Sequence, residues 1–307
     1  MKVGFIGLGA MGFPMAQRVI KAGFPLITTF HRRREPADAL ASLGAKVVRT
    51  PAEVASEADV IVTILPADLE LEQTILGAEG VLEAMAPGKV LVEMTTGTAM
   101  SLLKIEKAVE AAGAHVLDAP VSGGTSGAMA GTLTIMVGGT LELLEQVRPV
   151  LSAMGNRIIH VGGSGQGKTI KMINQMMAAI HLLAIGEAFA LGIRCGADPN
   201  TMYDVIKDSS GYSRMMDLRL RDFLLAGFFE PGFKLDLMKK DVQLALDSAR
   251  AKGAPALLTS LTAQIFAAAS AAGYGNDDFS RAADFLAAIG RVSLSEATPA
   301  ADSARAQ

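Results

Sequence analysis

Three glycines spaced G-x-G-x-x-G, Gly7, Gly9 and Gly12, directly follow the apolar run KVGFI and open the helical pattern MGFPMAQRVIKAG. The spacing alone is a weak signal. A strand before it and a helix after it narrow it to a first strand-to-helix turn, whose backbone N–H groups meet a pyrophosphate at a helix N-terminus. Gly7 makes the tight turn, Gly9 removes the side chain that would block the phosphates, and Gly12 lets the helix pack close to the strand. Leu8, Ala10 and Met11 fill the rest of this cofactor-binding turn.

Up to about residue 161 short β-rich runs alternate with helical patterns. KVGFI, LITTF, AKVV, DVIVTIL, KVLVEM, AHVLDA, TLTIMVG and RIIHV read as strands, several of them apolar throughout, as strands covered on both faces should be. The alternation predicts βαβ units and a mostly parallel, doubly wound sheet in an α/β chain. After residue 162 the texture changes to long Ala-, Leu- and Met-rich stretches. Helices are predicted over 166–194, 199–208, 236–252, 256–272 and 278–290, with no convincing strand. The 307 residues therefore divide into a sheet domain, 1–162, an all-helical domain, 163–291, and a small, polar tail, 292–307, expected to be flexible.

A second glycine stretch, GGSGQGKT at 162–169, matches a phosphate loop, G-x-x-x-x-G-K-[ST], letter for letter. Its place argues against that reading. A phosphate loop follows an early strand, and later strands supply the acidic residue for Mg²⁺. Here the stretch follows the last strand and only helices come after it. These glycines are expected to end the sheet and start a long helix at a close contact, with Ser164 as a candidate N-cap.

Composition removes other classes. The net charge of -3 shows no basic excess for nucleic acid. The single cysteine, Cys195, excludes a disulfide framework and reads as a core thiol. His31, His115, His160 and His181 have no metal-ligand spacing, so no metal is expected. The start of the chain lacks a cleavage-site pattern and is not read as a signal peptide. The most apolar stretch, 178–193, carries His181 and Glu187 and falls short of the ~20 residues of a membrane span. A soluble, cytoplasmic protein without a membrane partner is expected.

The second strand should end near an acidic residue if NAD is held, because a carboxylate takes the ribose 2′-OH. The chain instead reads His31, Arg32, Arg33, Arg34. An arginine grips a 2′-phosphate bidentately, so NADP is expected over NAD.

Four segments carry a specific resemblance. FIGLGAMGFPMA is similar to the signature of the β-hydroxyacid dehydrogenase family. DAPVSGGTSGAMAGTLTIMVGG, 118–139, resembles that family's substrate-binding segment, GQGKTIKMINQ, 165–175, its catalytic helix start, and FKLDLMKKD, 233–241, its late Lys-Asp motif. The resemblance covers residues 1 to about 290. It implies a Rossmann-type domain and an all-helical domain joined by a long helix, with the active site in the cleft. It also implies a homodimer or homotetramer. It assigns the catalytic lysine to Lys171, not Lys168. Leu65 and Pro66 correspond to the segment crossing the cofactor, Thr96 to the residue near the nicotinamide, Lys240 to a group reaching cofactor or substrate, with Asp241 bracing it, and Phe233 to a pocket wall. Two departures stand out. Asn174 and Gln175 occupy positions where one branch has two asparagines, and Ala99 stands where the family's S-T-x-x-P element has its proline.

The chemistry needs a hydride carrier and a positioned acid/base. Lys171 lies in the first turns of a strongly apolar helix, where burial favours the neutral amine. Asn174 and Gln175 share its helix face by i, i+3 and i, i+4 spacing and can orient it or the substrate oxygen. Ser122 with the N–H groups of Gly123 and Gly124 suits an anionic carboxylate. The expected activity is NAD(P)-dependent hydride transfer between NADP(H) and a small anionic hydroxy acid or its semialdehyde. Segment 210–219, SGYSRMMDLR, is expected at the pocket mouth. The rival readings are an imine reductase on the same fold, against which Lys171 counts, and a non-catalytic dinucleotide-binding protein.

Overall fold

The computed structural model describes residues 1–295. The chain divides into two compact units, Met1–Met172 and Ile173 onward.

The first unit is built on one nine-stranded sheet: β1 Val3–Ile6, β2 Leu26–Thr28, β3 Lys46–Val47, β4 Val60–Thr63, β5 Val90–Glu93, β6 His115–Asp118, β7 Val121–Ser122, β8 Thr134–Gly138 and β9 Arg157–Gly162. The order β3-β2-β1-β4-β5-β6 is parallel throughout. β8 then pairs antiparallel with β6 and β7, and β9 runs parallel to β8. The sequence is apolar where strands are covered twice. Val3, Phe5, Val60, Val62, Val90 and Val92 pack into one buried layer, and Ile6, Ile61, Leu91 and Val116 into another. Successive side chains point to opposite faces, so one continuous apolar run serves both layers. The strand order reverses between β2-β1 and β4-β5, which puts a crevice beyond the carboxyl ends of β1 and β4.

The short strand β7 and its antiparallel pairing were not legible in the sequence. Two residues carry no periodicity.

The helix Gln166–Arg194 runs for 29 residues and continues from the first unit into the second. By length and composition it is apolar enough to cross a membrane, which corrects the expectation that the stretch is too short. Part of its apolar surface is packed against protein, while Ile173, Met177 and Leu191 are exposed. Ala179, Leu182, Leu183, Ile185 and Phe189 belong to the buried core of the second unit.

That unit is helical. Pro199–Lys207, Leu235–Lys252, Leu257–Ala271 and Arg281–Ile289 fall close to the predicted ranges. Arg214–Arg219 and the π-helical turn Leu220–Leu225 were not predicted. Their buried Met215, Met216, Leu220, Leu224 and Leu225 lie within 11 residues and give no long 3.6-residue rhythm. Two local expectations are corrected. Cys195 is exposed, because the helix has ended at Arg194 and the thiol sits in the following turn. Of the expected tail, Val292 and Leu294 are buried, and 296–307 lie outside the described residues.

Candidate functional site

The first glycine turn has the geometry its spacing requires. A Cβ on Gly7 would lie 2.1 Å from the Ile64 carbonyl oxygen, and one on Gly12 would lie 1.8 Å from the Gly7 carbonyl oxygen. Both positions exclude a side chain by contact with backbone. A Cβ on Gly9 would meet nothing within 4 Å. The space in front of Gly9 is open, as approach of a pyrophosphate demands. The helix Gly12–Lys21 starts behind it with no side-chain cap on its free N–H groups. This arrangement fits a dinucleotide.

The three glycines separate on substitution. Gly12→Ala is expected to cost about 1–3 kcal/mol through overpacking, read as a lower Tm. Gly9→Ala should keep the wild-type Tm and weaken dinucleotide binding about tenfold or more, because a methyl group there meets only ligand.

Beside the turn lies a recess of about 370 Å³ lined by Leu8, Gly9, Ala10, Arg33 and Glu35, among others. The basic run after β2 therefore divides its labour. Arg33 faces the turn. Arg34 pairs with Asp38 at 3.1 Å and lies over the Phe30 ring. His31 and Arg32 are exposed. Glu35, a carboxylate at the same recess, was not considered in the sequence, where the reading stopped at the basic run ending at Arg34.

The ends of β4 and β5 continue the floor. The N–H of Leu65 donates to the Thr95 hydroxyl at 2.9 Å, and a Cβ on Gly7 would approach Leu65 Cδ2 at 3.2 Å. Thr95 is also fixed through its backbone. Its N–H donates to Glu93 Oε1 at 2.7 Å and its carbonyl accepts from Lys168 Nζ at 2.8 Å. Lys168 and Glu93 form an ion pair whose side chains are wholly buried.

This pair settles the role of the phosphate-loop look-alike. Lys168 is committed to Glu93 and Thr95 and has no freedom to reach a phosphate. A Cβ on Gly167 would lie 2.5 Å from the Met136 carbonyl oxygen, so close packing demands this glycine. The helix begins at Gln166, which moves the cap away from Ser164. The buried Asp118 at the end of β6 does the capping instead. Its carboxylate accepts the N–H of Gly165 at 2.9 Å and of Lys168 at 2.8 Å. Glu93 and Asp118 each end an apolar strand, and a carboxylate in such a place requires a partner.

Lys171 follows one turn later on the same helix and is 7 % exposed. Beyond β7, Gly123 and Gly124 have φ of +137° and +64°, a region that favours glycine, and both are exposed beside half-buried Ser122.

In the second unit a polar chain links four of the expected residues. Asn174 donates to Gln175 Oε1 at 3.2 Å, Gln175 donates to Asp241 Oδ2 at 2.8 Å, and Lys240 Nζ lies 3.0 Å from Asp241 Oδ1. Gln175 and Asp241 are buried. Phe233 is half-buried and meets Phe279 edge-on with ring centroids 6.0 Å apart. Its N–H and that of Gly232 donate to buried Asp278, which also pairs with Arg219. In segment 210–219, Arg219 is thus a brace, Met215 is buried, and the hydroxyls of Tyr212 and Tyr203 hold Asp217 below the usual carboxylate range.

Residues 2–162 match the family described as the NAD binding domain of 6-phosphogluconate dehydrogenase, and residues 165–286 that described as NAD-binding of NADP-dependent 3-hydroxyisobutyrate dehydrogenase. The chain is 40 % identical over 280 residues to 2-(hydroxymethyl)glutarate dehydrogenase of Eubacterium barkeri, covering 91 % of this chain and 93 % of that protein. The solved 3-hydroxyisobutyrate dehydrogenase of Mycobacterium tuberculosis, crystallised with L-serine, superposes with a TM-score of 0.84 at 33 % identity, over 95 % of this chain and 99 % of that one. An imine reductase of Myxococcus stipitatus superposes at 0.62 with 22 % identity over 93 % of this chain and 99 % of that one, a likeness of fold alone. With a dinucleotide turn at one end of the chain and relatives matched along nearly all of it, the protein belongs to the β-hydroxyacid dehydrogenase family, the NAD(P)-dependent oxidoreductases of small hydroxy acids.

Proposed function

We propose that the chain interconverts a small anionic hydroxy acid and its semialdehyde or keto form with NADP(H), and that Lys171 moves the proton. The observation that carries this is the setting of Lys171. It is a buried lysine one helical turn beyond Lys168, whose ammonium group anchors Thr95 next to the cofactor floor. The dinucleotide, when bound, supplies or takes the hydride. Lys171 takes the hydroxyl proton in oxidation and returns it in reduction. Ser122 and the N–H groups of Gly123 and Gly124 hold the substrate carboxylate. Gln175, tied to Asp241, presents a fixed carboxamide on the Lys171 face of the helix. Leu65, Pro66 and Thr96 border the nicotinamide, Lys240 serves the cofactor or substrate, and Phe233 walls the pocket.

Arg33 supports NADP over NAD, since it lines the recess beside Gly9 and Ala10. Arg33→Ser is expected to shift the NADPH-to-NADH ratio of kcat/KM toward NADH by about tenfold or more, the worth of a charge-assisted contact, with Glu35 left to accept a ribose hydroxyl. A cytoplasmic homodimer or homotetramer completes the proposal. Self-association is supported by the exposed Leu257, Leu258 and Leu261 on the helix Leu257–Ala271.

The test is a rate screen with NADP(H), and NAD(H) in parallel, on glyoxylate, succinic semialdehyde, tartronate semialdehyde, 3-hydroxyisobutyrate and threonate. Turnover of at least one with NADP(H) favoured is expected. No turnover of any small hydroxy acid or aldehyde would overturn the reading.

A further inference from the structure

The loop between β5 and the helix Ala99–Ala111 is held at two points. At its start Thr95 is gripped by Glu93 and Lys168. At its end Thr98 is gripped by Asp68, the first residue of the helix Asp68–Leu76. The N–H of Thr98 donates to both oxygens of that carboxylate, at 3.1 and 3.0 Å, and the Thr98 hydroxyl donates to Oδ2 at 2.8 Å. The same hydroxyl oxygen accepts the N–H of Ser101 at 3.1 Å, so Thr98 caps its own helix while it binds Asp68. A Cβ on Gly97 would lie 2.0 Å from Asp68 Oδ1. The carboxylate therefore presses directly on the backbone, and only glycine admits it. Thr96 lies between these two fixed points.

We propose that Asp68 is a positioning residue for hydride transfer: by clamping Gly97 and Thr98 it fixes the orientation of Thr96 at the nicotinamide. This rests on the reading above that Thr96 borders the nicotinamide. The physical basis is local. Asp68 sits at the N-terminus of the helix Ala99–Ala111, where the helix dipole and charge-assisted hydrogen bonds both favour a carboxylate. Removing it frees the loop on one side, and a small misplacement of a positioning group is costly in rate.

A second route to the same stiffness is available. Ala99 is the first helical residue, where proline is favoured, and Thr98 has φ -86° and ψ 147°, the extended conformation that a following proline prefers. Ala99→Pro should stiffen the loop without a carboxylate. The experiment compares wild type, Asp68→Ala, Asp68→Asn and Asp68→Ala/Ala99→Pro. Each is measured for Tm, NADPH Kd, kcat on the best substrate of the screen, and the primary isotope effect with NADPH deuterated at C4. Asp68→Ala is expected to lose about tenfold or more in kcat, with an altered isotope effect. Asp68→Asn, which keeps one acceptor oxygen, falls between and carries the test if the alanine variant does not fold. The added proline returns most of the lost turnover. Overturning results are a kcat and isotope effect within twofold of wild type in both single variants, or a double variant that regains Tm without turnover, which would make the clamp merely structural. Wild-type chain that binds no NADPH would sink the parent reading along with this one. Wild type that binds and turns over beside an unaffected Asp68→Ala sinks this inference alone.

Discussion

Lys171→Ala is expected to lower kcat by about 10²–10⁴-fold, the usual worth of a positioned general acid/base. NADPH binding should survive, since the glycine turn and the Arg33 recess lie on other elements of the first unit. Stability should fall by about 1–3 kcal/mol, because a long side chain is removed from a buried site, so kcat is compared well below the lower Tm. The check is a kcat determination paired with NADPH titration by fluorescence. Turnover within tenfold of wild type would remove Lys171 from the mechanism. A parallel loss of NADPH binding would make it a structural lysine instead.

Its neighbour should behave in the opposite way. Lys168→Met leaves Glu93 buried without its counter-charge, and breaking a buried pair in this manner costs about 3–5 kcal/mol. The expected readout is a large drop in Tm or in the denaturant midpoint. The double variant Lys168→Met/Glu93→Gln, which removes both charges, should recover much of the loss. A phosphate-loop lysine would give the reverse pattern, an unchanged Tm and lost nucleotide triphosphate binding. The two lysines, three residues apart on one helix, are thus separable by a thermal melt and a kinetic assay. Recovery in the double variant also tests whether the cost is electrostatic. If Thr95 is loosened in both, Leu65, whose N–H it holds, and Thr96, which the proposal puts at the nicotinamide, should show it as a weaker NADPH affinity even when Tm has returned.

The glycine turn shows how far local sequence reaches. Gly12 is required by the Gly7 carbonyl five residues away, Gly7 by the Ile64 carbonyl just beyond the neighbouring strand β4, and the space at Gly9 is left open. The strand-turn-helix spacing marks all three positions, although the contact that fixes Gly7 comes from 57 residues away. The second glycine stretch shows where that grammar stops. Its letters fit a phosphate loop, and position in the chain argued against it, but the actual job of Lys168 depended on Glu93, 75 residues away. No periodicity links those two residues. The same holds for Asp118 capping a helix that begins 48 positions later, where Ser164 was the nearer candidate. The polar chain from Asn174 to Asp241 joins segments 66 residues apart, and spacing alone could align only its first two members.

What the sequence determined by itself was the class of fold, the cofactor turn and the long helix. Each is written in short-range order: apolar runs covered on both faces, glycines where backbone must approach backbone, and side chains sharing a helical face. Only the tertiary structure decided which charged groups are partners. A carboxylate in an apolar strand announces that it needs a counter-charge or donors, but not which. That choice falls to strand order and packing, which bring together residues far apart in the chain, and burial makes each pairing strong because water no longer competes for it.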